Sequence, residues 1–127
     1  MKKDIKKILF PTDFSDTAQN AFRYCLMLAD HYEASIQLLH VIYPEYAATD
    51  LPVMASKATK DKAELAREVM KTFVDHGLTQ VQMTRTLKHA PVVEADVEVG
   101  GPVNVITSIA RRDGIDLIVM GTRGEHT

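Results

Sequence analysis

A carboxylate stands directly after the first apolar run of this chain, where it could bind a sugar or a base. The run ends at Phe10 and is followed by Pro11, Thr12 and Asp13. A carboxylate accepts hydrogen bonds, so Asp13 has the chemistry to hold ribose hydroxyls or the amino group of a base. An Asp in this place also starts turns and caps helices, and this interpretation stays open.

A glycine-flanked loop near the other end of the chain has residue types that suit phosphate. The loop consists of Gly121, Thr122, Arg123 and Gly124, and Met120 precedes it. The two glycines would let phosphate oxygens approach backbone N–H groups, as in other anion-binding loops. Because a G-x-x-G loop is common by chance, the loop alone is a weak indication of phosphate binding.

The sequence contains no motif for other nucleotide-binding loops, for a hydrolase nucleophile or for a metal site. The motifs G-x-x-x-x-G-K-[ST], G-x-G-x-x-G and G-x-S-x-G are absent. The five histidines lack metal-ligand spacing, and we interpret His40 as a packed histidine inside a strand. The single cysteine, Cys25, lies on the apolar face of a predicted helix and is interpreted as a core residue. We therefore predict no catalytic residue and no metal site.

Strands and helices are predicted to alternate along the chain. Hydrophobic periodicity predicts strands at residues 5–10, 35–42, 92–99 and 115–120, and helices at about 16–33, 53–74 and 102–112. Ser15 or Asp16 is the predicted N-cap of the first helix, and Gly77 is the predicted stop signal of the second. Residues 78–91 allow either a strand or an extension of the second helix. This alternation predicts a parallel, three-layer α/β sheet with right-handed crossovers.

The predicted elements would bring the two polar segments together. If the first and last strands are neighbours with their crossovers on opposite faces, a crevice opens at their carboxyl ends, beside Asp13 and Gly121. The apolar run 117–120 is typical of a strand that is covered on both faces. The second helix is expected to bury Leu65 and Val69, and the third to bury Val103.

The composition is that of an ordinary globular domain and does not favour nucleic acid or a membrane as a partner. The 127 residues fit one domain, with 46% apolar and 25% charged residues and a net charge of −2. This charge favours neither nucleic acid nor an anionic membrane surface as a partner. No apolar run approaches the roughly 18–20 residues of a transmembrane helix, and the N-terminus is not a signal peptide. With one cysteine and no internal disulfide, the expected location is the cytoplasm.

The chain resembles the universal stress protein family over nearly its whole length. The resemblance rests on three segments in their order and spacing: ILFPTDFS at 8–15, LLHV at 38–41 and GIDLIVMGTRG at 114–124. It implies a Rossmann-like α/β fold, an open parallel sheet with helices on both faces, and a homodimer. The fifth strand and last helix of the family have no counterpart here. We therefore expect residues 1–127 to form a single domain of this kind that is incomplete at its C-terminus.

One branch of that family binds ATP, and the resemblance implies nucleotide contacts for residues of this chain. Asp13 and the Val41 backbone would hold the adenosine end, Met120 would flank the base, and Gly121 and Gly124 would begin a phosphate cradle. The third glycine of the family motif would fall beyond the last residue. The whole candidate site is Pro11, Thr12, Asp13, Val41, Met120, Gly121, Thr122, Arg123 and Gly124.

The resemblance implies a cytoplasmic stress-response regulator or sensor that binds an adenine nucleotide. The nucleotide would be ATP, or else AMP or ADP, with Mg²⁺ accompanying ATP. Efficient catalysis is not expected, and slow ATP hydrolysis is the most that the family implies. The alternative is a dimerisation or interaction module of the same fold that binds no nucleotide. A small α/β enzyme is a third interpretation, which lacks a catalytic constellation.

Overall fold

The protein folds into a parallel sheet with helices on both faces. A computed structural model describes residues 4–44 and 52–121. The elements follow one another as β1 (Lys7–Pro11), α1 (Asp16–Tyr32), β2 (Ser35–Ile42), α2 (Pro52–Gln82), β3 (Val93–Val99), α3 (Pro102–Arg112) and β4 (Leu117–Ile118). All pairings are parallel and the strand order is β3-β2-β1-β4. The predicted α/β architecture is confirmed.

The alternation of side chains along the strands divides the core into two layers. Ile8 and Phe10 of β1 face α1 and α2, in a large cluster that includes Phe22. Leu9, between them, faces the other way and packs with Ile109 of α3. Because successive strand residues point to opposite faces, β1 is buried on both sides and holds the centre of the sheet.

Local capping signals fix the beginning and end of α1. Ser15 is its N-cap, and the Ser15 Oγ accepts a hydrogen bond from the Ala18 N–H at 3.1 Å. Of the two predicted N-caps, Ser15 is therefore correct. The helix ends at Glu33, a C-cap in the left-handed conformation with φ 55°. The start of α1 is thus held directly behind the end of β1, next to Asp13.

The predicted end of α2 at residue 74 is wrong, because the helix continues to Gln82. Gly77 does not stop the helix but lies inside it, against α1. A Cβ at this position would lie 2.5 Å from Cδ2 of Phe22. The glycine is therefore explained by the close approach of two helices. Of the two alternatives for residues 78–91, the helical extension is correct as far as Gln82, and β3 begins only at Val93.

Three helix residues that were predicted to be buried are exposed. Leu65 of α2 is 62% exposed, Val69 is 36% exposed and Val103 of α3 is 76% exposed. The burial expected for these side chains is wrong. Periodicity assigned each helix one broad apolar face, whereas the described helices bury narrower stripes centred on Met70 and Ile109.

The last strand is shorter and more exposed than predicted. Only Leu117 and Ile118 are assigned to β4, although backbone hydrogen bonds from Asp116 to Lys7 and from Val119 to Leu9 extend the pairing. Ile118 is 42% and Met120 is 49% exposed, so the cover on both faces that the apolar run alone suggests is incomplete, whereas the partly bare edge expected without a fifth strand is present. In the part of the chain that the structure describes, β4 is an edge strand.

Candidate functional site

A cleft opens at the carboxyl ends of β1, β2 and β4. Its volume is about 190 Å³. The residues that line it are Pro11, Thr12, Asp13, Ala18, Leu39, His40, Val41, Pro102, Ile106, Met120 and Gly121. Six of the nine predicted site residues are thereby brought together. The other three, Thr122, Arg123 and Gly124, lie outside the described residues.

Topology explains why the cleft forms here. From β1 the chain passes through α1, on one face, to the neighbouring strand β2. It reaches β4, the neighbour of β1 on the other side, through α3, which packs on the opposite face. The connections thus diverge on either side of β1, as predicted. Such a switch point is where open α/β sheets bind ligands.

A hydrogen-bonded turn holds Asp13 at the mouth of the cleft. The Thr12 Oγ1 accepts from the Phe14 N–H at 3.0 Å, and the Asp13 Oδ1 accepts from the Ser15 N–H at 2.9 Å. Phe14 has φ 64°, a left-handed conformation that is uncommon for a bulky residue and is found at functional sites. Asp13 therefore makes the turn that one sequence interpretation proposed, and it lines the cleft as the other proposed.

The opposite wall of the cleft depends on a glycine. Gly121 follows β4 and lies against the first turn of α1. A Cβ on Gly121 would lie 2.9 Å from the Thr17 carbonyl oxygen and 3.0 Å from the Ala18 Cα. Both are backbone atoms, which cannot give way without moving the helix. The absence of a side chain is therefore required for β4 and α1 to meet at this point.

His40 is a cleft residue that the candidate site did not include. Its Nδ1 lies 2.8 Å from the Thr12 carbonyl oxygen, and its ring stacks on Phe14 with the centroids 4.4 Å apart. The sequence interpretation of a packed histidine is right about the stacking but missed the polar contact. The signal was available in β2, where His40 stands between Leu38 and Ile42 on the core-facing side. A polar side chain in such a place needs a partner.

Two helices begin at the cleft. Ala18, in the first turn of α1, and Pro102, the first residue of α3, both line it. The N-cap of α3 is Gly101, which makes no side-chain capping hydrogen bond. The positive ends of two helix dipoles therefore favour an anionic group at this edge.

Two titratable groups with perturbed pKa values lie away from the cleft. Burial raises the pKa of the Cys25 thiol, deep in the core, to about 12. At the opposite end of α3, hydrogen bonds from Arg112 and Gln37 hold the pKa of Asp113 well below its usual range. Residues 4–44 and 52–121 contain no group of three or more His, Cys, Asp or Glu arranged to hold a metal ion.

Membrane-spanning helices need about 20 predominantly apolar residues, and the described helices differ from this. None of them is long and apolar enough to cross a bilayer. The longest, α2, carries charged side chains along its length.

Comparison with known proteins assigns the family. The model of the universal stress protein family matches residues 4–127. A universal stress protein of Methanocaldococcus jannaschii is 27% identical over 120 residues, which are 94% of this chain and 66% of that protein. The chain therefore spans less than two thirds of the length of that relative.

Solved structures agree with this assignment. The universal stress protein UspA of Lactobacillus plantarum is 27% identical, with a TM-score of 0.77 over 98% of this chain and 84% of that one. A universal stress protein solved in complex with cAMP is 15% identical, with a TM-score of 0.59 over 91% and 72% of the two chains. The second likeness shows the fold alone. The chain belongs to the universal stress protein family.

Proposed function

We propose that this stress-response protein binds an adenine nucleotide in the cleft at the ends of β1 and β4. The observation that carries the proposal is the convergence of three elements on one space. The turn at Asp13, the end of β2 at Val41 and the glycine at position 121 all line the same cleft. One relative in fold has been solved with cAMP, which is itself an adenine nucleotide.

The walls of the cleft suit the parts of a nucleotide. Val41, Ile106 and Met120 supply apolar surface for a base, and the cleft volume of about 190 Å³ suits a base better than a whole nucleotide. Asp13 would accept hydrogen bonds from ribose hydroxyls, since a carboxylate is an acceptor and Asp13 lines the cleft. The phosphates would extend past Gly121, towards the N-termini of α1 and α3.

The finer identity of the ligand belongs to the same proposal. ATP is the proposed nucleotide, with AMP or ADP as alternatives and Mg²⁺ entering with ATP. Thr122, Arg123 and Gly124 would continue the phosphate site. The proposed role is that of a regulator or sensor, with at most slow hydrolysis of ATP. We place the protein in the cytoplasm, which is consistent with a single buried cysteine that is not in a disulfide.

The second candidate function is an interaction module that binds no nucleotide. It is favoured by a specific observation, the exposed apolar side chains of Ile118 on the edge strand β4 and of Met120, which follows this strand. Exposed apolar surface on a sheet edge is commonly covered by a partner. In this alternative the protein would act through dimerisation, and the cleft would bind no ligand.

Calorimetric titration of AMP, ADP and ATP into the protein and into Asp13→Ala distinguishes the two functions. Loss of the Asp13 carboxylate should weaken nucleotide binding by about 1–3 kcal/mol, because a charged hydrogen bond is removed. Asp16→Ala is the matched control. It also removes one carboxylate, but Asp16 lies in the first turn of α1 and does not line the cleft.

Unchanged affinity in Asp16→Ala with weakened binding in Asp13→Ala would support the proposal. Equal affinity of wild type and Asp13→Ala would remove Asp13 from the site. If the wild type binds none of the three nucleotides, the interaction module becomes the better account.

A further inference from the structure

The paired strands β1 and β2 separate where they reach the cleft, after the residues Pro11 and Leu39. Along this pair, Ser35 donates its N–H to the Lys6 carbonyl at 2.9 Å, and Thr12 donates its N–H to the Leu39 carbonyl at 2.8 Å. Odd-numbered residues of β2 therefore direct their backbone groups towards β1. Val41 is the next odd-numbered residue, so its N–H and carbonyl point towards the chain that leaves β1.

The regular ladder would continue with a hydrogen bond from the Val41 N–H to the Thr12 carbonyl. Among the described residues no such bond exists, and the register of the two strands ends at Pro11 and Leu39. The Thr12 carbonyl instead lies 2.8 Å from Nδ1 of His40. Because a carbonyl oxygen can only accept, Nδ1 carries the proton and donates it to this bond. The Thr12 carbonyl therefore accepts from the side chain of His40 in place of the backbone N–H of Val41.

Packing holds the imidazole in this position. Its ring stacks on Phe14 with an interplanar angle of 29°, and Phe14 is itself in edge-to-face contact with Phe73, with the ring centroids 5.8 Å apart. Phe14 reaches the imidazole through its left-handed backbone conformation, φ 64°. The bond to the Thr12 carbonyl and the stack on Phe14 thus hold both ends of the turn that carries Asp13.

We propose that His40 is a positioning residue, which withdraws the Thr12 carbonyl from the strand ladder and so leaves the Val41 N–H available to a ligand in the cleft. The Val41 backbone is the group that the proposed function assigns to the adenosine end, and its N–H would donate to an acceptor nitrogen of the base. The ligand-binding part of this inference rests on the proposed function. The effect of His40 on the backbone does not.

Two variants separate the hydrogen bond from the packing. His40→Leu removes the donor but keeps an apolar side chain between Leu38 and Ile42. His40→Asn restores a donor, because its amide nitrogen is as far along the side chain as Nδ1 of histidine. Circular dichroism verifies that both variants are folded. Should His40→Leu not fold, His40→Gln replaces it with the same expectation, since its amide nitrogen lies one bond further out.

The first measurement is amide hydrogen exchange of Val41 in the protein without ligand. In His40→Leu the Thr12 carbonyl is free to accept from Val41, so exchange of this amide should slow by about tenfold or more. In His40→Asn it should stay at the wild-type rate. Unchanged exchange of Val41 in His40→Leu would overturn the proposal, and so would His40→Asn behaving like His40→Leu.

The second measurement is the affinity for AMP. His40→Leu should bind about tenfold more weakly than wild type, as expected for one lost hydrogen bond, and His40→Asn should recover the affinity. A wild-type protein that binds no adenine nucleotide contradicts the proposed function, while the exchange measurement still decides the claim about His40. Wild-type affinity in a folded His40→Leu would overturn the link between His40 and the ligand.

Discussion

At the scale of single residues, the cleft is built from residues that each serve the fold as well. Asp13 caps a turn through the Ser15 N–H, and His40 holds the Thr12 carbonyl. Gly121 permits β4 to lie against the backbone of α1. Because each of these residues has a structural task, a loss of ligand binding in a variant is informative only when its stability is measured alongside.

Cys25 gives a prediction at the same scale. Its side chain is fully buried on α1, and burial raises the pKa of the thiol to about 12, well above its ordinary value. At pH 8 the folded protein should therefore react with a thiol reagent about a thousandfold more slowly than the unfolded chain, in proportion to the thiolate present. Rapid modification of the native protein without unfolding would contradict this.

The same pKa shift makes the stability of the protein depend on pH. Below pH 9 the thiol is protonated in both states, and its contribution is fully present. As the pH rises from about 9 to about 12, the unfolded chain releases a proton that the folded chain retains, so the free energy of unfolding falls. Cys25→Ala is the control, since its unfolding should lack this part of the alkaline decline.

At the scale of elements, α2 shows how tertiary contact overrides a local signal. Gly77 has the residue type of a helix stop, yet it lies within a helix that runs from Pro52 to Gln82. The ring of Phe22 occupies the space that a side chain at position 77 would need. The length of α2 is therefore set by its packing on α1, which places Phe73 in the aromatic cluster beneath Phe14.

Gly77→Ala tests this explanation because propensity and packing predict opposite signs. Alanine is favoured over glycine in a helix by about 1 kcal/mol, so propensity alone predicts a more stable protein. The contact with Phe22 predicts a loss of about 1–3 kcal/mol, since the core must move to admit a methyl group. Chemical denaturation measures the difference.

A matched control is Gly101→Ala, because a Cβ at Gly101 would meet only Asn104 Nδ2, at 3.8 Å. This variant should change the stability by much less than Gly77→Ala. A Gly77→Ala protein as stable as wild type or more so would refute the packing explanation.

Local patterns were sufficient to predict the fold class and most of the cleft. The β1 end at Pro11, the Ser15 cap and the start of α3 at Pro102 are encoded in residues next to one another, so they could be predicted. The contact of Gly121 with α1 and the bond between His40 and Thr12 join distant segments. The exposure of β4 depends on which neighbours surround it. These features require the assembled sheet, and sequence periodicity alone does not contain them.

At the scale of the whole molecule, the two described edges of the sheet differ in chemistry. On the face towards α3, β3 carries alternating acidic residues at Glu94, Asp96 and Glu98. The other edge, β4, exposes apolar Ile118 and is followed by Met120. An edge strand with exposed apolar side chains is open to pairing, whereas acidic side chains discourage it.

We therefore expect the protein to associate as a homodimer through the β4 side. Light scattering at high micromolar concentration should give twice the mass of the chain. Ile118→Lys should shift the protein to the monomer, because it places a charge on the proposed interface. Val92→Lys is the control at the far edge, where Val92 is 62% exposed, and it should remain dimeric. A wild-type monomer under these conditions would contradict the expectation.

The central claim, that the cleft between β1 and β4 binds an adenine nucleotide, is tested most directly by nuclear magnetic resonance. Titration of AMP into the isotopically labelled protein would locate the ligand from the backbone amides whose chemical shifts change. The account predicts that the largest changes fall on Thr12, Val41 and Gly121, which belong to three separate segments and meet only at this cleft. Changes confined to another surface, such as the polar pocket near Asp30 and His89, or none at saturating AMP, would contradict it.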